Sequence, residues 1–249
     1  MNWYKVVASY DGTDYFGWQV QKDLPTIAQT MQDVFFKVFN TRIILRGASR
    51  TDAGVHALGH VAFFSTNLQC STESLKFAWG NALPYSIAIR ELLAVDPIVH
   101  PHAYIAKKVY WYHFFVDTPS PFAARYGWQV FKKIDFDTLK RVLQLFVGTH
   151  DFRAFCSSEV QGNTVRTVDS IDLVYVPEYG AWRIEVVGHS FLRYMVRRIV
   201  GAAIHTASDS PYCVEYVREL LECKDPNHRL LCAPAKGLVL QSIEYRDIK

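Results

Sequence analysis

With 249 residues, half of them hydrophobic and a fifth charged, the chain has an ordinary globular composition that excludes disorder and suits one large or two small domains. A net charge of only +3 excludes a basic tail as the means of holding a polyanion, so an RNA partner would need positive charge gathered on one face. Five cysteines (Cys70, Cys156, Cys213, Cys223, Cys232) without a C-x-x-C pair exclude a disulfide or zinc scaffold and point to a reducing compartment. The first residues run straight into a strand pattern without a basic-then-apolar signal, and no apolar run reaches transmembrane length. The expectation is a cytoplasmic protein with no membrane partner.

In chain order, residues 3–10 are β-branched and aromatic and predict a strand, ended by the turn Asp11-Gly12-Thr13-Asp14. Thr26 and Gln29 form a capping box ahead of the helical stripe Ile27, Met31, Val34, Phe35 and Val38. Strands are predicted at 42–45 and 61–64. Ser71 caps a helix whose Leu75, Ala78, Trp79 and Ala82 share a face, and residues 87–95 form a strand. The order β-α-β-β-α-β is the ferredoxin-like unit. Asp96-Pro97 and His100-Pro101 mark a crossover. Beyond it come a strand at 108–116 and a helix at 135–147 carrying Leu139, Val142, Leu143 and Phe146. Strands at 165–176 and 182–187 flank the turn at 177–180. Helices at 191–207 and 212–223 and a strand at 238–245 follow. The expected fold is α+β: two ferredoxin-like halves, residues 1–103 and 104–249, with antiparallel sheets packed side by side around a central cleft that would serve as a substrate groove.

Residues 47–60, G-A-S-R-T-D-A-G-V-H-A-L-G-H, place Arg50, Thr51, Asp52 and His56 among three glycines between strand-like runs. A charged, Gly-rich loop on such a scaffold is where chemistry is usually presented. Asp52 is the candidate nucleophile or base. Arg50, two residues before it, is placed to favour its ionised form, and Gly54 supplies backbone freedom for a turn. The same residues also make an ordinary Asx-type turn, and spacing alone leaves both readings open. Arg193 and Arg197 fall four apart on the helix predicted at 191–207, beside Tyr194 and Arg198. This stripe is either a solvated basic face or a face for anions. Tyr110 and Tyr112 share one face of a strand, which suits core packing or base stacking. His56 and His60 lack the intervening Glu of H-E-x-x-H and sit among glycines, so no metal is expected, and no phosphate or nucleotide motif predicts a cofactor.

R-T-D-A-G-V-H-A, residues 50–57, resembles the signature of the tRNA pseudouridine synthase A family. The resemblance extends through Y-D-G-T-D-Y-F-G-W-Q-V-Q (10–21), Tyr110 to Tyr112, H-D-F-R-A-F (150–155), Arg166-Thr167, F-L-R-Y-M-V-R-R-I-V-G (191–201) and K-G-L-V-L (236–240), and so spans the chain. It implies an isomerase that converts uridine to pseudouridine at positions 38, 39 and 40 of the tRNA anticodon stem-loop, without cofactor or metal, as a homodimer. It assigns Asp52 to catalysis with Arg50, selects Arg197 as the charge partner of that carboxylate, and makes Tyr110 the tyrosine that stacks on the target uracil. Arg193, Arg198, His56 and Leu238 complete the expected substrate-binding set. Nucleophilic attack at C1′ and a glycal-type route both remain open. Ser49, His60, Tyr104 and Val109 depart from the family pattern, His60 standing where a Gln is usual.

Two other readings compete. A non-catalytic RNA-binding protein on the same fold would keep the basic stripe and the aromatics but would not need Asp52 beside an arginine. A glycosidic hydrolase usually needs two carboxylates flanking the bond, and Asp11 and Asp14 belong to another turn.

Overall fold

The computed structural model describes residues 1–97, 101–208, 212–225 and 231–246; His100 of the expected crossover lies outside them. The fold is mixed α+β and divides into two compact units, Met1–Ala106 with Val239–Lys249, and Lys107–Leu238. The last strand therefore belongs with the first unit, not with the second half as expected. The reason is its pairing: Val239 and Leu240 register in parallel with His56 and Ala57. Among the described residues no helix is long and apolar enough to cross a membrane.

In the first unit, β1 (Asn2–Tyr10) lies between β4 (Ile87–Val95) and β3 (His56–Thr66), antiparallel to both. The two-residue β2 (Arg46–Gly47) and β10 (Leu238–Tyr245) share the other edge of β3. Helix α1 (Ile27–Phe39) starts at Thr26, whose hydroxyl accepts from the Gln29 N–H at 3.4 Å. The reciprocal half of the predicted capping box is absent, because the Gln29 amide donates instead to Asp33 at 2.7 Å, one turn on. Helix α2 (Thr72–Ala82) starts at Ser71 as predicted, and buries Leu75 and Trp79. The Trp79 indole N–H donates to the Met31 carbonyl at 3.0 Å and ties α2 to α1. Phe35, Phe64 and Trp79 meet edge to face at 5.0–5.6 Å, the geometry aromatic quadrupoles favour, and form the core under both helices.

Residues 42–45 do not form the expected strand. Their alternation is real, with Ile43 and Leu45 buried and Ile44 exposed. However, the Leu45 N–H donates to the Gln32 side chain of α1 at 2.8 Å, so a helix side chain takes the place of a ladder partner. Conversely, β3 begins at His56, five residues before the predicted start, because the motif runs directly into its pairing with β1.

The second unit contains β5 (Ile105–Phe115), β6 (Trp128–Gln129), α3 (Phe136–Gln144), β7 (Gly148–Asp151), β8 (Val165–Val176), β9 (Ala181–Gly188), α4 (Met195–Ala207) and α5 (Val214–Cys223). Its main strands run in the antiparallel order β5-β9-β8-β7, with β6 parallel to the end of β5. Neither β6 nor β7 was expected. Both are too short for a period-2 pattern to emerge. Asp135 caps α3 through the Asp137 N–H at 3.1 Å.

Helix α4 starts at Met195, not at Phe191. Tyr194 precedes it in the left-handed region, φ 65°, and a helix cannot continue backwards through that conformation. Arg193 therefore lies in the preceding turn, and the expected Arg193–Arg197 helical stripe does not form.

Candidate active site

The loop that carries Asp52 is held from both sides by the end of β1 and the segment that follows it. Ahead of Asp52, the Thr51 hydroxyl hydrogen-bonds the Tyr10 hydroxyl at 2.8 Å, and the Thr51 carbonyl accepts from the Trp18 N–H at 3.1 Å. After it, the Asp52 carbonyl accepts from the Val55 N–H and the Gly54 N–H donates to the Tyr15 carbonyl, both at 3.1 Å. Gly54 sits at φ 75°, so the turn expected there does use glycine's left-handed freedom. The loop is thus a tight turn, closed by the Asp52 carbonyl and anchored to a second segment through Thr51 and Gly54. Asp52 is half-buried and Arg50 is exposed.

His56 is 4% exposed. Its Nδ1 lies 3.1 Å from an Asp11 carboxylate oxygen and 3.1 Å from the Gly12 nitrogen. The Gly12 N–H donates to Nδ1 when that nitrogen lacks a proton, and Asp11 accepts from it when it carries one. Either way His56 binds the Asp11 turn to the start of β3. Asp11 also accepts from the Thr13 N–H and hydroxyl at 3.0 and 2.6 Å. Leu238 is buried at the start of β10.

The remaining candidates lie in the second unit. Tyr110 is buried on β5, where its ring meets Phe191 edge-on at 5.2 Å. Lys108 and Tyr112 are buried on the same face of the strand. Burial pulls the Lys108 ammonium down to a pKa of about 8 and pushes the Tyr112 phenol up, the latter partly countered by Arg197. Lys108 belongs to no motif, although the alternation that pairs Tyr110 with Tyr112 also contains it.

Arg197, on the first turn of α4, donates from Nε to the Ala233 carbonyl at 2.8 Å, while its own carbonyl accepts from the Ala233 N–H at 3.0 Å. Its guanidinium also lies 5.2 Å from the Tyr194 ring centre, and that of Arg193 lies 4.9 Å from the same ring, both within cation–π range. Arg193 is exposed and pairs with Glu159. Arg198 donates to the Ala154 carbonyl at 3.3 Å. The structure thus gathers Arg50, Asp52 and His56 in one unit. Tyr110 and the three arginines lie in the other. Among the described residues no group of three or more His, Cys, Asp and Glu side chains could hold a metal.

The tRNA pseudouridine synthase family profile matches residues 6–102 and 142–246, and so includes the Asp52 loop and Arg193 to Arg198. The chain is 37% identical over 253 residues to the tRNA pseudouridine synthase A of Thermodesulfovibrio yellowstonii, covering 97% of this chain and 98% of that one. It is 34% identical to the tRNA pseudouridine synthase A 1 of Protochlamydia amoebophila, covering 99% and 98%, and 34% identical to the tRNA pseudouridine synthase A of Aquifex aeolicus, covering 96% and 98%. Likeness of this extent, carried through both units and through the loop around Asp52, makes the chain a member of the tRNA pseudouridine synthase family.

Proposed function

We propose that this protein isomerises uridine to pseudouridine at positions 38, 39 and 40 of the tRNA anticodon stem-loop, with Asp52 as the nucleophile. The observation that carries this reading is the Asp52 turn, fixed by hydrogen bonds through Thr51, Asp52 and Gly54 and set in the R-T-D-A-G-V-H-A segment. A catalytic carboxylate gains rate when its position is set before the substrate arrives. The N-glycosidic bond of the target breaks, the uracil turns, and a C–C bond forms to its C5, from which a proton leaves to solvent while N1, freed of the sugar, gains one. A base paired in a stem must first leave the stack at a cost of about a few kcal/mol. Tyr110 offers the ring to receive it. Arg50 brings positive charge two residues from Asp52, which favours an ionised carboxylate, and the family resemblance assigns Arg197 as its charge partner. Arg193 and Arg198 complete the expected substrate-contacting set, with His56 and Leu238 shaping the site from buried positions.

Each half reads as a ferredoxin-like unit. The order β4-β1-β3-β2 with two helices supports this for the first, and β5-β9-β8 with α3 and α4 supports it for the second. The family resemblance further implies a homodimer acting in the cytoplasm; sedimentation at micromolar concentration tests the dimer.

The central experiment uses unmodified tRNA labelled with tritium at uridine C5. Wild type is expected to release the label to water, and Asp52→Asn to release none while still binding tRNA. Binding without release by wild type would instead favour a non-catalytic RNA-binding protein, and free uracil among the products a hydrolase.

A further inference from the structure

His60 stands outside the expected catalytic set and departs from the family pattern, yet it is 0% exposed and lies under the Asp52 loop. Its ring stacks on Trp18 at 3.7 Å between centroids and 22° between planes, and lies 5.9 Å from the Tyr10 ring. Its Nε2 is 3.0 Å from the Ser49 carbonyl oxygen. A carbonyl only accepts, so Nε2 carries the proton and His60 is the donor. The two rings next to His60 belong to the residues that hold Thr51: Tyr10 through its hydroxyl and Trp18 through its backbone N–H. Ser49 and Thr51 flank Arg50 and lead directly into Asp52. One buried cluster therefore holds the segment immediately before the carboxylate at three points, the Thr51 hydroxyl and the Thr51 and Ser49 carbonyls, and His60 supplies the one at Ser49.

We propose that His60 is a positioning residue for Asp52, acting through the hydrogen bond from its Nε2–H to the Ser49 carbonyl. This rests on Asp52 being the catalytic carboxylate. A Gln at position 60 carries an N–H at comparable reach, whereas a Met of similar length does not. The pair separates the hydrogen bond from the space it fills, since both variants lose the imidazole stack on Trp18 and keep an unbranched side chain of similar length.

The test compares His60→Gln and His60→Met by single-turnover tritium release, by kcat and KM, by tRNA binding and by thermal unfolding, with wild type and Asp52→Asn alongside. His60→Met is expected to fold and to bind tRNA with unchanged KM, while its single-turnover rate falls about 30-fold, within the range that small displacements of a reacting group cost. His60→Gln is expected to stay within about fivefold of wild type. Equal rates in the two variants, whether both high or both low, would overturn the proposal, because the donor would then not matter. If His60→Met does not fold, His60→Phe, which keeps a stacking ring without the donor, takes its place against the same criterion. Absence of release by wild type, or release by Asp52→Asn, would reject the catalytic reading itself, and is thereby distinguished from failure of the His60 proposal.

Discussion

Arg197 shows why residue type matters at the smallest scale. Its Nε–H is committed to the Ala233 carbonyl at 2.8 Å, which fixes the plane of the guanidinium and the direction of its terminal nitrogens. A planar fork can hold a backbone carbonyl with one edge and present charge with another; a lysine ammonium is a single point on a flexible stem. Arg197→Lys should therefore lose turnover by about 10²-fold or more although charge is conserved, with less effect on tRNA binding. Unimpaired single-turnover release in that variant would remove Arg197 from the catalytic residues. Arg198, whose guanidinium donates to the Ala154 carbonyl, should show the opposite balance: Arg198→Lys is expected to change thermal stability more than rate.

At the scale of elements, the segment between β1 and α1 shapes the loop as much as the loop's own sequence does. Gly17 sits at φ 85°, and a Cβ there would lie 2.4 Å from the Thr51 carbonyl oxygen. Gly17→Ala must strain its own backbone and push Thr51 away, and Thr51 immediately precedes Asp52. The expected result is a loss of about 2 kcal/mol in urea unfolding together with a fall in single-turnover rate; a variant as stable and as fast as wild type would show that the two segments move independently. Features carried by local periodicity could be read from sequence: β1, β4, both capped helices of the first unit, and the hairpin of β8 and β9. Residue type and spacing made Asp52 a candidate but left an ordinary turn equally open, and only the resemblance of residues 50–57 to the family signature singled it out. What could not be read depends on partners distant in the chain. Residues 42–45 alternate like a strand, but their hydrogen bond goes to Gln32. Helix α4 starts late because Tyr194 adopts a conformation that tyrosine rarely takes. Trp18 and His60 lie 42 positions apart, and no local pattern announces that their rings stack.

For the whole molecule, stability against pH records the cost of a buried cation. Lys108 is 6% exposed, and burial lowers its pKa from 10.5 to about 8. Below pH 8 the side chain is protonated in the folded and the unfolded chain alike, and folding bears the full cost of burying the charge. Between about 8 and 10.5 the folded chain releases the proton first, so the unfolded chain binds more protons and stability rises with pH. Above that range both states are neutral and the cost is gone. The buried phenols act in the other direction and later: burial raises the Tyr112 and Tyr245 pKa values above 10.0, so the folded chain resists their ionisation and loses stability only at pH values above that. The two effects are separated by Lys108→Met, which removes the first and leaves the second. Plotted against pH, the stability of Lys108→Met relative to wild type is expected to be highest near neutrality, on the order of 3 kcal/mol, and to decline between pH 8 and 10.5. Urea unfolding at a series of pH values measures it. A flat difference across that window would mean that Lys108 titrates normally, and that its position on the Tyr110 face of β5 carries no desolvation cost.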